Sequence, residues 1–282
     1  MTEKASLPVI PDTRRDDLHH LRLLETSQLN LFMAGNQFMV MDELVAAFQK
    51  QHPHIKRIYY QTLPPGLQLK QILAGGATFN GLPIDAAADI YTSVSLKAMQ
   101  NLTAAQKITS GSHRLYLHNR LVLLVPSGNP AAVATVSDLG RDHVRISQPD
   151  PINEDIAFHI MDMYRDAGGN SLVRRIMEEK RAEGTTIMTV VHHRETPIRL
   201  TKKTVDAGPV WATEAVYARQ QKLPVEVIEP GPDLDQRLKI NYYICKLAQS
   251  PNPQNADTFL KFMGSNRARS IYEKFGFITH SG

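Results

Sequence analysis

Residues 29–48 carry a pattern that later parts of the chain repeat. A mostly apolar run at 29–33, broken only by Asn30, is followed by Ala34, Gly35, Asn36 and Gln37, and then by Met41, Leu44, Val45 and Phe48 at helical spacing. This predicts a short buried strand, a tight loop at 34–37 and an amphipathic helix over 40–50. A strand that turns through a glycine-bearing loop into a helix aims unpaired N–H groups at the space above the strand, where an anion can sit. Any first βα unit has this form, so the pattern alone gives an address and not a function.

The rhythm continues. Alternation over 55–62 predicts a second strand, Pro64-Pro65-Gly66 opens a helix that Gly75-Gly76 ends, 88–93 is a third strand, and a helix runs from about 95 to 101. One long strand is predicted over 115–125. A short helix at 137–139, a strand at 145–148, and helices at 153–165 and 172–181 follow. Next come a strand at 186–191, a helix at 197–204 and a strand at 205–211. Strands at 225–228 and 238–247 precede two closing helices at 255–263 and 266–275. Ahead of all this, Pro8 and Pro11 favour extended chain, and Leu18, Leu21 and Leu24 line up for a short helix. Strand and helix alternate twice over, which predicts an α/β fold of two Rossmann-like lobes joined by two crossover strands.

Composition narrows the classes. The chain has 282 residues, 42% hydrophobic and 21% charged, with a formal charge of +4. Its basic residues form no tract and no aromatic-interleaved stripe, so no nucleic-acid partner is expected. No run of about eighteen apolar residues is present to span a bilayer. The single cysteine, Cys245, lies in an apolar strand and reads as core. The polar first residues lack the apolar stretch of a signal peptide. The location is therefore periplasmic if Met1 stands where a signal was removed, and cytoplasmic otherwise.

The segments AAFQKQHP, QLKQILAG, ADIYTSVS, LVLLVPSGNP, VDAGPVWATEAV and IYEKFGF stand in order over about 28–278. In order and spacing they resemble the type II periplasmic binding proteins, and within them the molybdate-binding branch. The resemblance implies an N-terminal arm at 1–26, a first lobe at 27–117 plus 245–282, and an inserted second lobe at 118–244. It further implies a monomer that closes on a small anion, an oxyanion or small carboxylate, and hands it to the membrane permease of an ABC-type transporter, with no cofactor and no catalysis. Carried over by position, the ligand loops hold Gly35, Asn36 and Gln37; Thr62, Pro65 and Gly66; Thr92 and Ser93; Asp150 and Asn153; His193, Arg194, Glu195 and Thr196; and Trp211 with Thr213. Two loops depart from the molybdate pattern, reading AGNQ and TLPPG where small and serine-rich turns are usual, and Trp211 replaces a tyrosine.

Each of these residues has a plainer use. Asn36 and Gln37 can donate to an anion or close the turn, Thr92 and Ser93 can donate or cap a helix, and Trp211 can be core or ligand platform. The string His192-His193-Arg194-Glu195-Thr196-Pro197 is the most unusual in the chain. Thr196 and Pro197 read as an N-cap and first helical residue, and Arg194 with Arg199 as anion contacts. The same histidines with Glu195 would suit a metal or an acid–base pair. A cytoplasmic ligand-sensing domain of the same fold is a further reading.

Overall fold

The computed structural model describes residues 7–85, 87–152, 154–192 and 194–280. The chain divides into two compact units, Met1–Leu117 with Asn241–Gly282, and His118–Ile240.

The first unit begins with strands β1 (Val9–Ile10) and β2 (Leu18–His19), the latter paired antiparallel to β4 (Ile58–Gln61). The short helix expected around 16–24 is absent. 3₁₀ turns at Asp12–Asp17 and Leu21–Thr26 flank β2 instead, because two strands are available there to take up the backbone groups. Between β2 and β4 lie β3 (Leu29–Phe32) and α1 (Phe38–Gln51). All four residues of β3 are buried, since the strand pairs in parallel with β4 on one side and β7 (Ile90–Ser93) on the other. A strand covered on both faces is apolar at most positions rather than alternating, and its one polar residue, Asn30, is satisfied by donating its N–H to Asp89 and its amide to the Ala87 carbonyl, each at 2.7 Å. Helix α1 buries Val40, Met41, Leu44 and Phe48, each side chain contributing about 1.5–3 kcal/mol by its removal from water.

Helix α2 (Pro65–Ala74) begins on proline and ends at Gly75, whose φ of 78° lets its N–H turn back to the Gln71 and Ile72 carbonyls. The chain then forms a hairpin, β5 (Gly76–Phe79) with β6 (Leu82–Asp85), in a stretch to which the apolar pattern assigns no element. Asn80 and Gly81, both at positive φ, make its turn. Helix α3 (Leu96–Ala104) follows β7, with Ser95 capping it by accepting the Ala98 N–H. The run of strands closes with β8 (Arg114–His118).

The single strand expected over 115–125 is in fact two. β8 belongs to the large sheet of the first unit, while β9 (Leu121–Pro126) is central to the second, paired antiparallel with β12 (Gly208–Trp211) and β13 (Val225–Ile228). Asn119 makes the break. It is fully buried, its N–H meets the Ile240 carbonyl at 3.4 Å and its amide nitrogen donates to Thr213 Oγ1 at 3.2 Å.

In the second unit β10 (Ile146–Gln148) runs parallel to β11 (Thr186–Met188), and Ile146 bridges in parallel to Ala207 at the start of β12. Between β10 and β11 lie the two expected helices, contiguous within α4 (Ile156–Arg174) but divided at Gly168 and Gly169, the second continued by a π-helical segment and α5 (Lys180–Ala182). Gly168 (φ −152°, ψ 19°) and Gly169 (φ 68°, ψ −171°) have non-helical backbone and separate the two. Lys180, fully buried, donates to the Arg141 carbonyl at 2.6 Å and so ties this helix to the loop before β10. Helices α6 (Glu195–Thr201) and α7 (Ala212–Gln220) follow β11 and β12.

The chain returns with β14 (Asn241–Lys246), then α8 (Pro253–Met263), α9 (Asn266–Lys274) and β15 (Ile278–Thr279). This completes a seven-stranded sheet in the order β15-β8-β14-β7-β3-β4-β2. The strand begins at Asn241 rather than at 238, because residues 236–240 form a turn, with Lys239 and Ile240 donating to the Gln236 carbonyl. Cys245 is buried in β14.

Candidate functional site

In the first unit three loops leave the C-terminal ends of the parallel strands β3, β4 and β7 and enter α1, α2 and α3. In open α/β sheets this is where ligands bind. The first loop is a 3₁₀ turn, Gly35–Gln37. Its leading N–H groups have no preceding turn to pair with. Gly35 eases the packing here, for a Cβ on it would stand 3.0 Å from the Thr62 carbonyl oxygen, closer than an ordinary contact.

Side chains fix this turn from four directions. Thr92 Oγ1 accepts the Ala34 N–H at 2.7 Å and the Gln37 amide at 3.0 Å. The Gln37 oxygen accepts from Tyr116 at 2.9 Å and Tyr272 at 2.8 Å, and Asn36 donates its amide to the Tyr242 hydroxyl. Gln37 and Thr92 are fully buried. Their polar atoms shape the loop, whereas Asn36 keeps a second N–H and its oxygen beyond the Tyr242 bond. Burial pushes the Tyr116 and Tyr272 phenols well above their ordinary range, so both stay donors.

Thr62 is held by His19, 3.2 Å from its hydroxyl, and by its N–H to the Asp17 carbonyl at 2.8 Å. Pro65 is the first residue of α2 and its carbonyl accepts from Tyr91 at 2.9 Å, while Gly66 is exposed. Ser93 accepts the Ser95 N–H at 3.1 Å, so it stabilises the entry to α3 while Ser95 is the cap. These three loops contain no carboxylate.

The second unit gathers the loops after β10, β11 and β12. Asp150 accepts the Ile152 N–H at 2.9 Å, and its own N–H donates to Thr189 Oγ1 at 3.1 Å. Asn153 and His193 lie outside the described residues. Arg194 is the N-cap residue of α6, so the helix starts two residues before the Thr196-Pro197 pair that the sequence suggested. Thr196 is buried inside that helix, bonded to Ser147 Oγ at 2.9 Å. Glu195 Oε1 gathers the N–H groups of Val190, Val191 and His192 at 2.9, 2.6 and 3.2 Å, and Arg199 pairs with Oε2 at 2.7 Å. Burial opposes the charge on Glu195, but these N–H groups and Arg199 outweigh it and hold the carboxyl below its usual range.

Arg199 also donates to Ser147 Oγ and to the Ile187 and Met188 carbonyls, so its guanidinium holds the fold together rather than standing ready for an anion. Trp211 is 3% exposed and packs against His159 at 6.0 Å between rings, which makes it core and not a platform at a rim. Thr213 is fully buried and accepts from Asn119.

The pattern of the sequence did not single out Glu154 and Glu214, yet both are buried in this unit. Thr189 donates its hydroxyl to Glu154 Oε1 at 2.5 Å. Burial, reinforced by the Glu154 charge and only partly offset by Arg194 and the Trp211 N–H, pushes the Glu214 carboxyl up to about 8. Burial and Glu154 likewise raise Asp155, and burial lowers His159 against the pull of Asp162. The one legible signal was Glu214 at the third position of α7, where a carboxylate meets helix N–H groups. Among the described residues no three His, Cys, Asp or Glu side chains converge as metal ligands.

This arrangement of strands and loops is the fold of the type II periplasmic binding proteins. The periplasmic molybdate-binding protein of Azotobacter vinelandii matches with a TM-score of 0.70, 18% identity, and coverage of 90% of this chain and 100% of that one. A sulfate-binding protein, SubI of Mycobacterium tuberculosis H37Rv, matches with a TM-score of 0.67, 15% identity, and coverage of 88% and 85%. The chain belongs to the bacterial extracellular solute-binding protein family, whose pattern it matches over residues 29–278. A protein of Bacillus subtilis (strain 168) named as a candidate ABC transporter substrate-binding lipoprotein, YvgL, is 22% identical over 254 residues, 88% of this chain and 85% of that protein. Family membership makes this a solute-binding protein. Among the described residues no helix is long and apolar enough to cross a membrane.

Proposed function

We propose that the chain is the extracytoplasmic solute-binding component of an ABC-type transporter, with a small oxyanion or small carboxylate as its ligand. The observation that carries the ligand class is the loop set of the first unit. It offers helix N-terminal N–H groups, the Asn36 amide, and hydroxyls at Thr62 and Ser93, and contains no carboxylate. In the second unit Arg194 supplies positive charge, and burial biases the Glu214 carboxyl toward its neutral form, which limits its repulsion of an anion. The molybdate and sulfate named for the structural relatives are of the same chemical class. Binding favours a state in which loops of both units contact the ligand, and a membrane permease recognises that state.

The test is a thermal-shift screen of molybdate, tungstate, sulfate, phosphate, small di- and tricarboxylates and divalent cations. A ligand at a hundred times its dissociation constant adds about 2.7 kcal/mol of stability. A rise with one anion class that disappears in Asn36→Asp, a near-isosteric change that adds repulsion, supports the reading. Silence across the anions with a response to a divalent cation overturns it.

A further inference from the structure

The chain leaves the first unit after Leu117 on β8 and re-enters it at Asn241 on β14. Tyr116 and Tyr242 stand one residue inside these two crossing points, and each is bonded to a neighbouring residue of the same loop, Tyr116 to Gln37 at 2.9 Å and Tyr242 to Asn36. Asn36, Gln37 and Tyr242 are buried, so none of these bonds can be exchanged freely for water. β8 and β14 are neighbours in the sheet, and just beyond them the Asn119 N–H meets the Ile240 carbonyl. Both crossings are thus tied to each other and, through one phenol each, to the turn at Gly35–Gln37.

Tyr272 provides a built-in comparison. It donates to the same Gln37 oxygen at 2.8 Å and is buried, and its ring packs edge-on against that of Tyr116 at 6.0 Å, but it lies on α9 and on neither crossing strand.

The geometry points to Tyr116 and Tyr242 as positioning residues that couple the Asn36-Gln37 loop to the two crossover strands, so that occupancy of the loop and the conformation of the crossings bias each other. This rests on the solute-binding reading above and adds the route by which the solute is felt. A ligand that draws on the free N–H of Asn36 pulls on an amide whose other N–H is held by Tyr242. A shift of β8 or β14 moves a phenol on which Gln37 depends. Coupling of this kind is reciprocal, since it is a free energy shared by two local equilibria.

The experiment places spin labels on Lys50→Cys in the first unit and Arg181→Cys in the second, both exposed positions, leaving the buried Cys245 in place. The inter-label distance distribution is measured with and without the anion found in the screen, in the otherwise unchanged chain and with Tyr116→Phe, Tyr242→Phe or Tyr272→Phe. Urea unfolding of the three phenylalanine variants is run in parallel. Each is expected to lose some stability, as any buried hydroxyl deletion does. The coupling requires that Tyr116→Phe and Tyr242→Phe broaden the ligand-free distribution and need about tenfold more anion for the half-maximal change, with Tyr272→Phe unchanged in both. If the three behave alike in the distance measurement, the tyrosines are only structural and the inference is overturned. If the unsubstituted chain responds to no anion, the anion reading fails by itself, and the ligand-free distributions still decide the coupling by the same comparison.

Discussion

Glu195 and Arg199, one helical turn apart on α6, are joined at 2.7 Å, and the other carboxylate oxygen of Glu195 is filled by three backbone N–H groups of the loop before it. The most reactive-looking string in the sequence is therefore a loop clamp. Replacing Glu195 with Ala leaves those N–H groups without their acceptor and Arg199 without its carboxylate. The expected cost is about 2–3 kcal/mol in urea unfolding, with Glu195→Gln recovering part of it. Because the folded carboxyl titrates below its usual value, its contribution is present above the unfolded pKa and is lost as pH falls through the folded one. The gap between the native chain and Glu195→Gln should accordingly narrow at acid pH, below about 4.3. A gap independent of pH would show that the charge is immaterial.

Glu214 has the opposite sign. Its folded pKa of about 8 lies above the unfolded value near 4.3, so its stabilising protonation is complete below about 4.3 and is lost as pH rises toward 8. Glu214→Gln keeps the shape of the side chain and removes the titration. We expect the variant to be more stable than the native chain at pH 8 by about 1 kcal/mol or more, and the two to converge near pH 4. Equal stability at both ends would remove Glu214 as a buried acid.

Gly208 is where β12 passes closest to β10 and α6. A Cβ there would stand 2.5 Å from Thr196 Cγ2 and 2.9 Å from the Ser147 carbonyl oxygen. Gly208→Ala should cost about 1–3 kcal/mol by overpacking, and displacement of Thr196 should weaken ligand binding as well. The measurement is denaturation together with titration of the ligand, and an unperturbed variant would mean that the strands separate freely.

Cys245 packs inside β14 with its sulfur 3.7 Å from the Tyr91 carbonyl, and burial pushes its thiol up to about 12. A thiol reagent at pH 8 should leave the native protein unmodified and label it stoichiometrically in denaturant. Rapid labelling under native conditions would place β14 at a mobile edge.

Much of the architecture could be read along the chain. The strand at 29–33, the helices ending at Gly75 and Gly264, and the caps at Ser95 and Ser265 follow from apolar period and terminal chemistry, which are local properties. Other features could not be. The run 115–125 is apolar at both ends with His118-Asn119-Arg120 in its middle, and that short polar interruption is the one local mark of the break; which sheet each half joins is set by strand pairing, which the run itself does not encode. Helix α7 was missed since Ala212, Thr213 and Glu214 are buried among strands and leave no amphipathic stripe.

The sequence by itself determined where a ligand would be addressed, because strand-to-helix turns with glycine and small polar residues are encoded within a few consecutive positions. Which side chains remain available there was decided only in three dimensions. Gln37, Thr92, Glu195, Thr196 and Arg199 are spent on partners as many as 235 positions away in the chain, while Asn36 retains capacity for a ligand. Hydrogen-bond capacity is finite and is consumed by whichever donor or acceptor folding brings near, and composition and spacing along the chain carry no record of that.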